Sequence, residues 1–228
     1  KVYTGENKLV IPYNSDDGKP FEDINMWNMG YKLVAGIDEA GRGPLAGPVV
    51  AACVILPKNE LPDGILDKNN NIRDSKRLSP AQRESLYQII MSSAIAVGIG
   101  RVGPEQIDEI NILNATRIAM EQAIHNCSCQ PDCVLIDAVE LYNCPFPQYS
   151  FTKGDIRSLA IAAASIIAKV TRDREMAEWA LKYPEYGFDS HMGYGTKQHI
   201  ECIQRFGLSP IHRKSFCKKI IIGNSKQA

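Results

Sequence analysis

The chain predicts an α/β domain, from two features of its texture. Two apolar, β-branched runs near the start are joined by a Gly/Pro-rich turn too short for a crossover, so they pair as antiparallel neighbours. Beyond them, runs of strand length alternate with longer stretches of helical period, and strands and helices intermix along the whole chain.

Residues 1 to 30 are polar and turn-rich and read as a peripheral N-terminal extension with weak structure. Leu33 to Ile37 is the first strand and Val49 to Leu56 the second, a buried one. Asn59 to Asn71 is loop-like. Ser79 caps a helix whose first position is Pro80 and whose apolar face is Leu86, Ile89 and Ile90. Ala94 to Gly100 is a third strand. Pro104 begins further helix, with Ile112, Leu113, Thr116, Met120 and Ala123 on its apolar side. Cys133 to Ile136 is a short buried strand ending at Asp137, and Tyr149 to Phe151 another, ending at Lys153-Gly154-Asp155. A long helix follows from about Ala160 to Leu181. Its small residues suit close approach to a sheet, and Ile167, Val170, Ala177 and Leu181 continue the stripe. Gly193-Tyr194-Gly195-Thr196, a helix over residues 197–206 and a basic end complete the chain. The expected organisation is the extension 1–30, the main α/β domain 31–182, and a helical, basic segment 183–228 packing on it.

Composition narrows the function. The 228 residues are 44% hydrophobic and 23% charged, enough for one large core. Formal net charge is zero, so no global field attracts nucleic acid. From Arg205 onward there are six basic residues and no acidic one, which suits phosphate contact and equally suits a solvated tail. No run approaches the roughly 20 apolar residues of a membrane span, and no secretory signal opens the chain. Cys127, Cys129, Cys133 and Cys144 cluster near His125 but lack the paired knuckles of a zinc site. The seven cysteines read as reduced thiols of a cytoplasmic protein.

The chemistry-bearing residues sit at strand ends. Asp38, Asp137 and Asp155 each close an apolar run, and Glu39 adds a fourth carboxylate. In α/β folds ligands gather at such ends. If the three strands are neighbours, the four carboxylates converge, repel one another and call for divalent cations, Mg²⁺ or Mn²⁺ rather than zinc. Gly41-Arg42-Gly43 lets bare backbone approach a polar ligand. As a dinucleotide fingerprint it fails, because Pro44, Pro48 and a strand follow it where a helix is required. Lys76 and Arg77 precede the Ser79-Pro80 helix start and can hold a phosphate there, or form a solvated basic pair. Tyr194 between two glycines is presented outside any apolar stripe and can stack on a base or sugar, or stand as a rim tyrosine. The four histidines form no nucleophile–base arrangement and read as structural or phosphate-adjacent.

Taken in order, Gly36 to Pro44, Asp74-Ser75-Lys76, Leu135-Ile136-Asp137, Lys153-Gly154-Asp155, Ile161 to Asp173, Gly193 to Thr196 and Ser209 to Phe216 resemble the type 2 ribonuclease H family, ribonuclease HII, in its bacterial form. The likeness spans about residues 31 to 217. It implies a ribonuclease H-like mixed central sheet flanked by helices, with a small helical C-terminal part. It also implies a monomeric endonuclease that cuts the RNA strand of RNA–DNA hybrids and single ribonucleotides in duplex DNA. By the resemblance Asp38, Glu39, Asp137 and Asp155 match the family's metal-binding catalytic carboxylates. Gly41-Arg42-Gly43 matches the loop that reads the ribose 2′-hydroxyl, and Tyr194 the tyrosine that packs on the neighbouring deoxyribose. Arg42 between the glycines favours type 2 over type 3. Two ions about 4 Å apart are implied, activating water and stabilising the leaving 3′-oxygen to give 5′-phosphate and 3′-hydroxyl; Asp38, heading the central strand, is expected to bridge them. Met192 stands where the family often has a basic residue. A replication clamp as partner has no support in the sequence.

Overall fold

The computed structural model describes residues 21–58, 72 and 78–224. Five strands form one sheet in the order β3-β2-β1-β4-β5. β1 (Val34–Ala40) and β2 (Val49–Ile55) pair antiparallel, with Asp38 opposite Ala52. β3 (Ala96–Val102) pairs antiparallel with β2 along the far edge. β4 (Cys133–Asp137) and β5 (Gln148–Phe151) run parallel to β1 on its other side. The sheet is therefore mixed, as expected, and β1 is its middle strand. The first strand runs past Asp38 to Ala40, and the third starts two residues later than its hydrophobicity suggests.

Both faces are covered. α2 (Pro80–Ser93) opens with a capping box between Ser79 and Gln82 and lies on the same side as α6. α3 (Pro104–Ile110) and α4 (Ile112–His125) are two helices where one was expected. Asn111, at φ 66°, breaks the run and caps α4 through its side chain. α4 packs Ala115, Ala119, Met120 and Ala123 on Ala35, Ile37, Ala51 and Cys53; Leu113 faces solvent instead. A four-residue helix, α5 (Gly154–Arg157), precedes α6 (Leu159–Lys182), which crosses the opposite face. The approach of α6 is so close that a Cβ on Gly36 would lie 2.0 Å from the Ala160 carbonyl carbon. Only glycine fits there, and the alanines of α6 are the other half of that contact.

The expected stripe on α6 holds to Val170 and then fails. Ala177 and Leu181 are exposed, and Met176 and Ala180 are buried instead. Past Val170 the helix leaves the sheet and meets the C-terminal part, so the inward face rotates. There Met176 and Ala180 join Ala46, Tyr186, Phe188 and Ile211.

Residues 21–30 are not the weak structure expected of them. α1 (Glu22–Asn28) buries Met26 and Trp27, and Phe21 just before it is buried too. Its Asp23 is buried and accepts hydrogen bonds from Ser158 Oγ and from the N–H groups of Leu159 and Ala160, at 2.8–3.1 Å. Burial pushes the Asp23 pKa up while those donors pull it down. A carboxylate there faces the amino end of the longest helix, where free N–H groups and the helix dipole favour it.

The C-terminal part comprises a 3₁₀ turn at Pro184–Tyr186, α7 (Phe188–His191), α8 (Lys197–Phe206) and α9 (Lys214–Asn224). The N–H groups of Lys214 and Ser215 at the start of α9 bond to Asp108 of α3. Three buried histidines, His191, His199 and His212, pack with Tyr186 and Phe188; His191 and His199 stack at 4.3 Å. All three are structural rather than phosphate-adjacent. Burial pushes the pKa of both His199 and His212 down to about 4. In the unfolded chain histidine titrates near 6.5. Between about pH 4 and 6.5 the unfolded state thus binds more protons, so this contribution is complete above 6.5 and is lost as pH falls through that window. Buried acids such as Asp23, whose pKa is raised, act in the opposite sense, so the test is a difference. The gap in urea midpoint between wild type and His212→Gln should be smaller at pH 5 than at pH 7, and an equal gap at both would refute the account.

Candidate active site

Strand register brings the acids together. In the β1–β4 pair Gly36 lies beside Leu135 and Ile37 beside Ile136, so Asp38 and Asp137 are the next residues on adjacent parallel strands. Side chains alternate along a strand. Gly36 and Leu135 face the α6 side, and Asp38 and Asp137 face it with them. Asp155 reaches the same edge from α5, one turn after β5 ends. Asp137 Oδ1 accepts from the Gly154 N–H at 2.9 Å, tying β4 to the start of α5. Asp38 Oδ1 accepts from the Glu39 N–H at 2.8 Å.

Asp38 and Asp155 are buried and Glu39 nearly so. Burial, then the neighbouring Glu39, Asp137 and Asp155 charges, push the Asp38 pKa well up. Burial also raises Glu39, against the opposing pull of Arg42. Arg42 Nη1 donates to Glu39 Oε1 at 3.3 Å, and Glu39 Oε2 is buried with no hydrogen-bond partner. Among the described residues no three acidic, histidine or cysteine side chains already form a closed metal cage. The donor set nevertheless fits hard divalent cations: all oxygen, mutually repelling, and with an orphaned carboxylate oxygen. Of the clustered thiols, Cys133 lies on the face of β4 away from Cys127, Cys129 and Cys144, and all seven cysteines are free of disulfides.

The turn after β1 is held by two buried arginines: Arg172, to which the sequence assigns no task, and Arg213, which it counts with the basic end. Arg172 of α6 donates to the carbonyls of Pro48, Met192 and Ala46 at 2.9, 3.0 and 3.1 Å. Arg213 donates to those of Gly47, Arg42 and Gly41 at 3.0, 3.0 and 2.6 Å. Gly41, at φ 97°, has no room for a Cβ, which would lie 2.2 Å from Arg172 Nε. With its carbonyls turned inward, the loop leaves the N–H groups of Arg42 and Gly43 outside the hydrogen bonds found among the described residues. The ring of Tyr194, 45% exposed, stands beside Gly43, 3.9 Å from where its Cβ would be, with the Arg172 guanidinium 6.0 Å from its centroid.

The structure thus brings Asp38, Glu39, Asp137 and Asp155 to one sheet edge and Gly41, Arg42, Gly43 and Tyr194 to the rim beside it. Lys76 and Arg77 lie outside the described residues. Arg213, counted with the basic tail, is buried and serves the loop. Met192, where the family often has a base, sits at φ 50°, gives its carbonyl to Arg172 and packs against the C-terminal cluster. As arranged, the site offers an acidic, oxygen-rich edge beside the exposed turn and an aromatic ring. The turn leads straight into β2, which leaves no dinucleotide cradle.

Comparisons with known proteins identify the family. The sequence model of the Ribonuclease HII family matches residues 35–219. The ribonuclease HII of Acetivibrio thermocellus is 55% identical over 226 residues, 97% of this chain and 86% of that one. The crystal structure of ribonuclease H2 from Pyrococcus horikoshii OT3 superposes with a TM-score of 0.70 at 28% identity, covering 85% of this chain and 99% of that one. The PCNA:RNase HII complex from Archaeoglobus fulgidus gives 0.66 at 26% identity, covering 79% and 93%. No helix among the described residues is long and apolar enough to cross a membrane. Since the matched stretch begins inside β1, takes in the carboxylate edge and both arginines, and ends within α9, the chain belongs to the ribonuclease HII family and is a ribonuclease H, a nuclease that hydrolyses phosphodiesters.

Proposed function

We propose that this chain is an endonuclease that hydrolyses the RNA strand of RNA–DNA hybrids and cuts on the 5′ side of ribonucleotides embedded in duplex DNA. The observation that carries this reading is the junction of its two halves. Arg42 of the exposed loop touches Glu39 of the carboxylate edge, while the Tyr194 ring stands beside Gly43 of the same loop. A phosphate at the acids would therefore have its sugar at the loop and the next sugar at the tyrosine.

Asp38, Glu39, Asp137 and Asp155 would hold the divalent cations, Mg²⁺ or Mn²⁺, which when bound activate the attacking water and offset the charge on the leaving 3′-oxygen. The chain's own work is positioning. The middle strand fixes Asp38 and its neighbour β4 fixes Asp137. The N–H groups of Arg42 and Gly43 supply donors for the ribose 2′-hydroxyl, which both donates and accepts. The Tyr194 ring packs on a sugar that lacks that hydroxyl. The two buried guanidiniums add positive potential under a loop that approaches a phosphodiester. By the same reading the enzyme acts as a monomer with nucleic acid as its partner; PCNA is a partner of the Archaeoglobus relative.

Asp38→Asn removes one of the repelling charges without changing shape. Cleavage of a labelled hybrid should fall by roughly a thousandfold in either cation while hybrid binding persists. In EDTA the variant should melt higher than the wild type, and added Mn²⁺ should raise its Tm less. Full activity in Mg²⁺ would sink the assignment of Asp38. A duplex carrying one 2′-O-methyl ribonucleotide should resist cutting where the unmodified ribonucleotide is cut; equal rates would remove the loop as ribose reader. Lys218 and Lys219 are exposed on α9, whereas Cys217 is buried, so substitution tests the basic end more cleanly than truncation. If both lysines meet phosphates, Lys218→Gln with Lys219→Gln should flatten the slope of log K against log salt by about 0.9 per lysine. An unchanged slope would rule them out.

A further inference from the structure

Tyr194 combines an exposed ring with a closely held backbone. Its N–H donates to the His191 carbonyl at 2.9 Å, and its own carbonyl accepts from the Thr196 N–H at 2.8 Å. That carbonyl also lies 2.9 Å from His199 Nδ1. His199 Nε2 is 3.0 Å from His212 Nε2. His212 Nδ1 is in turn 2.9 Å from the Ser209 N–H and 2.8 Å from Ser209 Oγ.

These contacts fix the protons. A backbone N–H can only donate, so His212 Nδ1 is an acceptor and the neutral ring carries its proton on Nε2. That proton can go only to His199 Nε2, which must then be unprotonated. The His199 proton therefore sits on Nδ1 and points at the Tyr194 carbonyl, which can only accept. The chain reads in one direction, from Ser209 through His212 and His199 to Tyr194, with each ring neutral. His191 braces it: Gly193 N–H donates to its Nδ1 at 3.2 Å, its Nε2 meets the Tyr186 carbonyl at 2.8 Å, and its ring stacks on His199.

We propose that Ser209, His212 and His199 form a hydrogen-bond relay that positions Tyr194 against Gly43, making His212 and His199 positioning residues for selection of the ribose–deoxyribose junction. The proposal rests on the reading of Tyr194 as the sugar-packing residue. Apolar side chains of similar volume could fill this core as stably, since buried polar groups add geometric definition more than stability. Here the definition ends on the exposed aromatic that flanks the reading loop. The relay spans α8 and the segment before α9, where the neighbouring Arg213 holds the Gly41 and Arg42 carbonyls, so it ties the tyrosine loop to the same segment that holds the glycine turn.

The full chain tests this in two ways. Nitrogen-15 spectra of the imidazoles at pH 7 should show His212 protonated on Nε2 and His199 on Nδ1. Imidazolium forms, or the reverse tautomers, would overturn the relay. In kinetics on a duplex with one ribonucleotide, folded His212→Leu should raise KM roughly tenfold, as expected for a lost buried hydrogen bond, with kcat within about twofold. His212→Gln, which keeps one donor and one acceptor, should recover KM to within about threefold. If His212→Leu does not fold, His199→Phe replaces it, keeping the ring contacts with His191 and Phe188 while removing the donor to Tyr194. Tyr194→Ala separates the two claims. If it leaves KM unchanged, the sugar-packing reading fails. If it raises KM while folded His212→Leu and His199→Phe do not, the relay fails.

Discussion

Two positive charges buried beneath one loop set the form of this site. A guanidinium taken out of water is costly unless its donors are met, and Arg172 and Arg213 are near enough that each opposes the other's charge. Carbonyls of residues 41, 42, 46, 47, 48 and 192 meet them. Burial lowers the pKa of both, yet a guanidinium starts so high that both stay charged. Lysine could not replace either, because one ammonium does not span three carbonyls with a fixed planar fork. The loop's carbonyls are thereby committed inward, and the amides of Arg42 and Gly43 are left for whatever lies outside.

The acidic half is set by an independent constraint, the register of parallel strands. Moving β4 by one residue relative to β1 would send Asp137 to the α4 face and leave Asp38 without its neighbour. The close approach of α6 at Gly36 helps fix that arrangement, because the helix can settle only where β1 has no side chain. Asp23 anchors the same helix at its amino end. Charges of opposite sign are thus kept on separate scaffolds, carboxylates on the strand ends and guanidiniums under the turn. Arg42 and Glu39 are where the two scaffolds meet.

What the sequence shows follows from the range of the interactions. An acid ending an apolar run is a local pattern, so Asp38, Asp137 and Asp155 are legible, as is the Ser79-Pro80 helix start. Arg172 and Arg213 are not. Their bonds to the turn span 124 to 172 residues, and nothing within either local segment says which loop the side chain will meet. The signal available is an arginine on the small-residue helix, facing a Gly/Pro turn that needs its carbonyls satisfied. α1 has helical spacing in Phe21, Ile24 and Trp27, but its polar surroundings hide it until packing against Ile161 and Leu135 is known. Leu181 misleads for a related reason: one apolar stripe presumes one partner, and α6 changes partner midway.

Strain points to how the site divides. Four non-glycine residues among those described have positive φ, and three flank the site: Ala138 after Asp137, Lys153 before Asp155 and Met192 before Tyr194. Each such residue costs on the order of 1 kcal/mol or more and persists only where its surroundings hold it. They are held: Ala138 N–H bonds to Phe151, the Lys153 carbonyl accepts from the Ile156 N–H, Met192 N–H bonds to Phe188, and the Met192 carbonyl accepts from Arg172. The backbone that presents the acids and the tyrosine is therefore pre-set rather than assembled around a substrate. The Arg42–Glu39 contact is different. It is 3.3 Å long, its arginine is half exposed, and such a pair is worth on the order of 1 kcal/mol or less. It is the contact between the glycine turn and the carboxylates that can exchange at little cost, so on the proposed reading any adjustment to cations and phosphate would concentrate there while the surrounding backbone stays fixed.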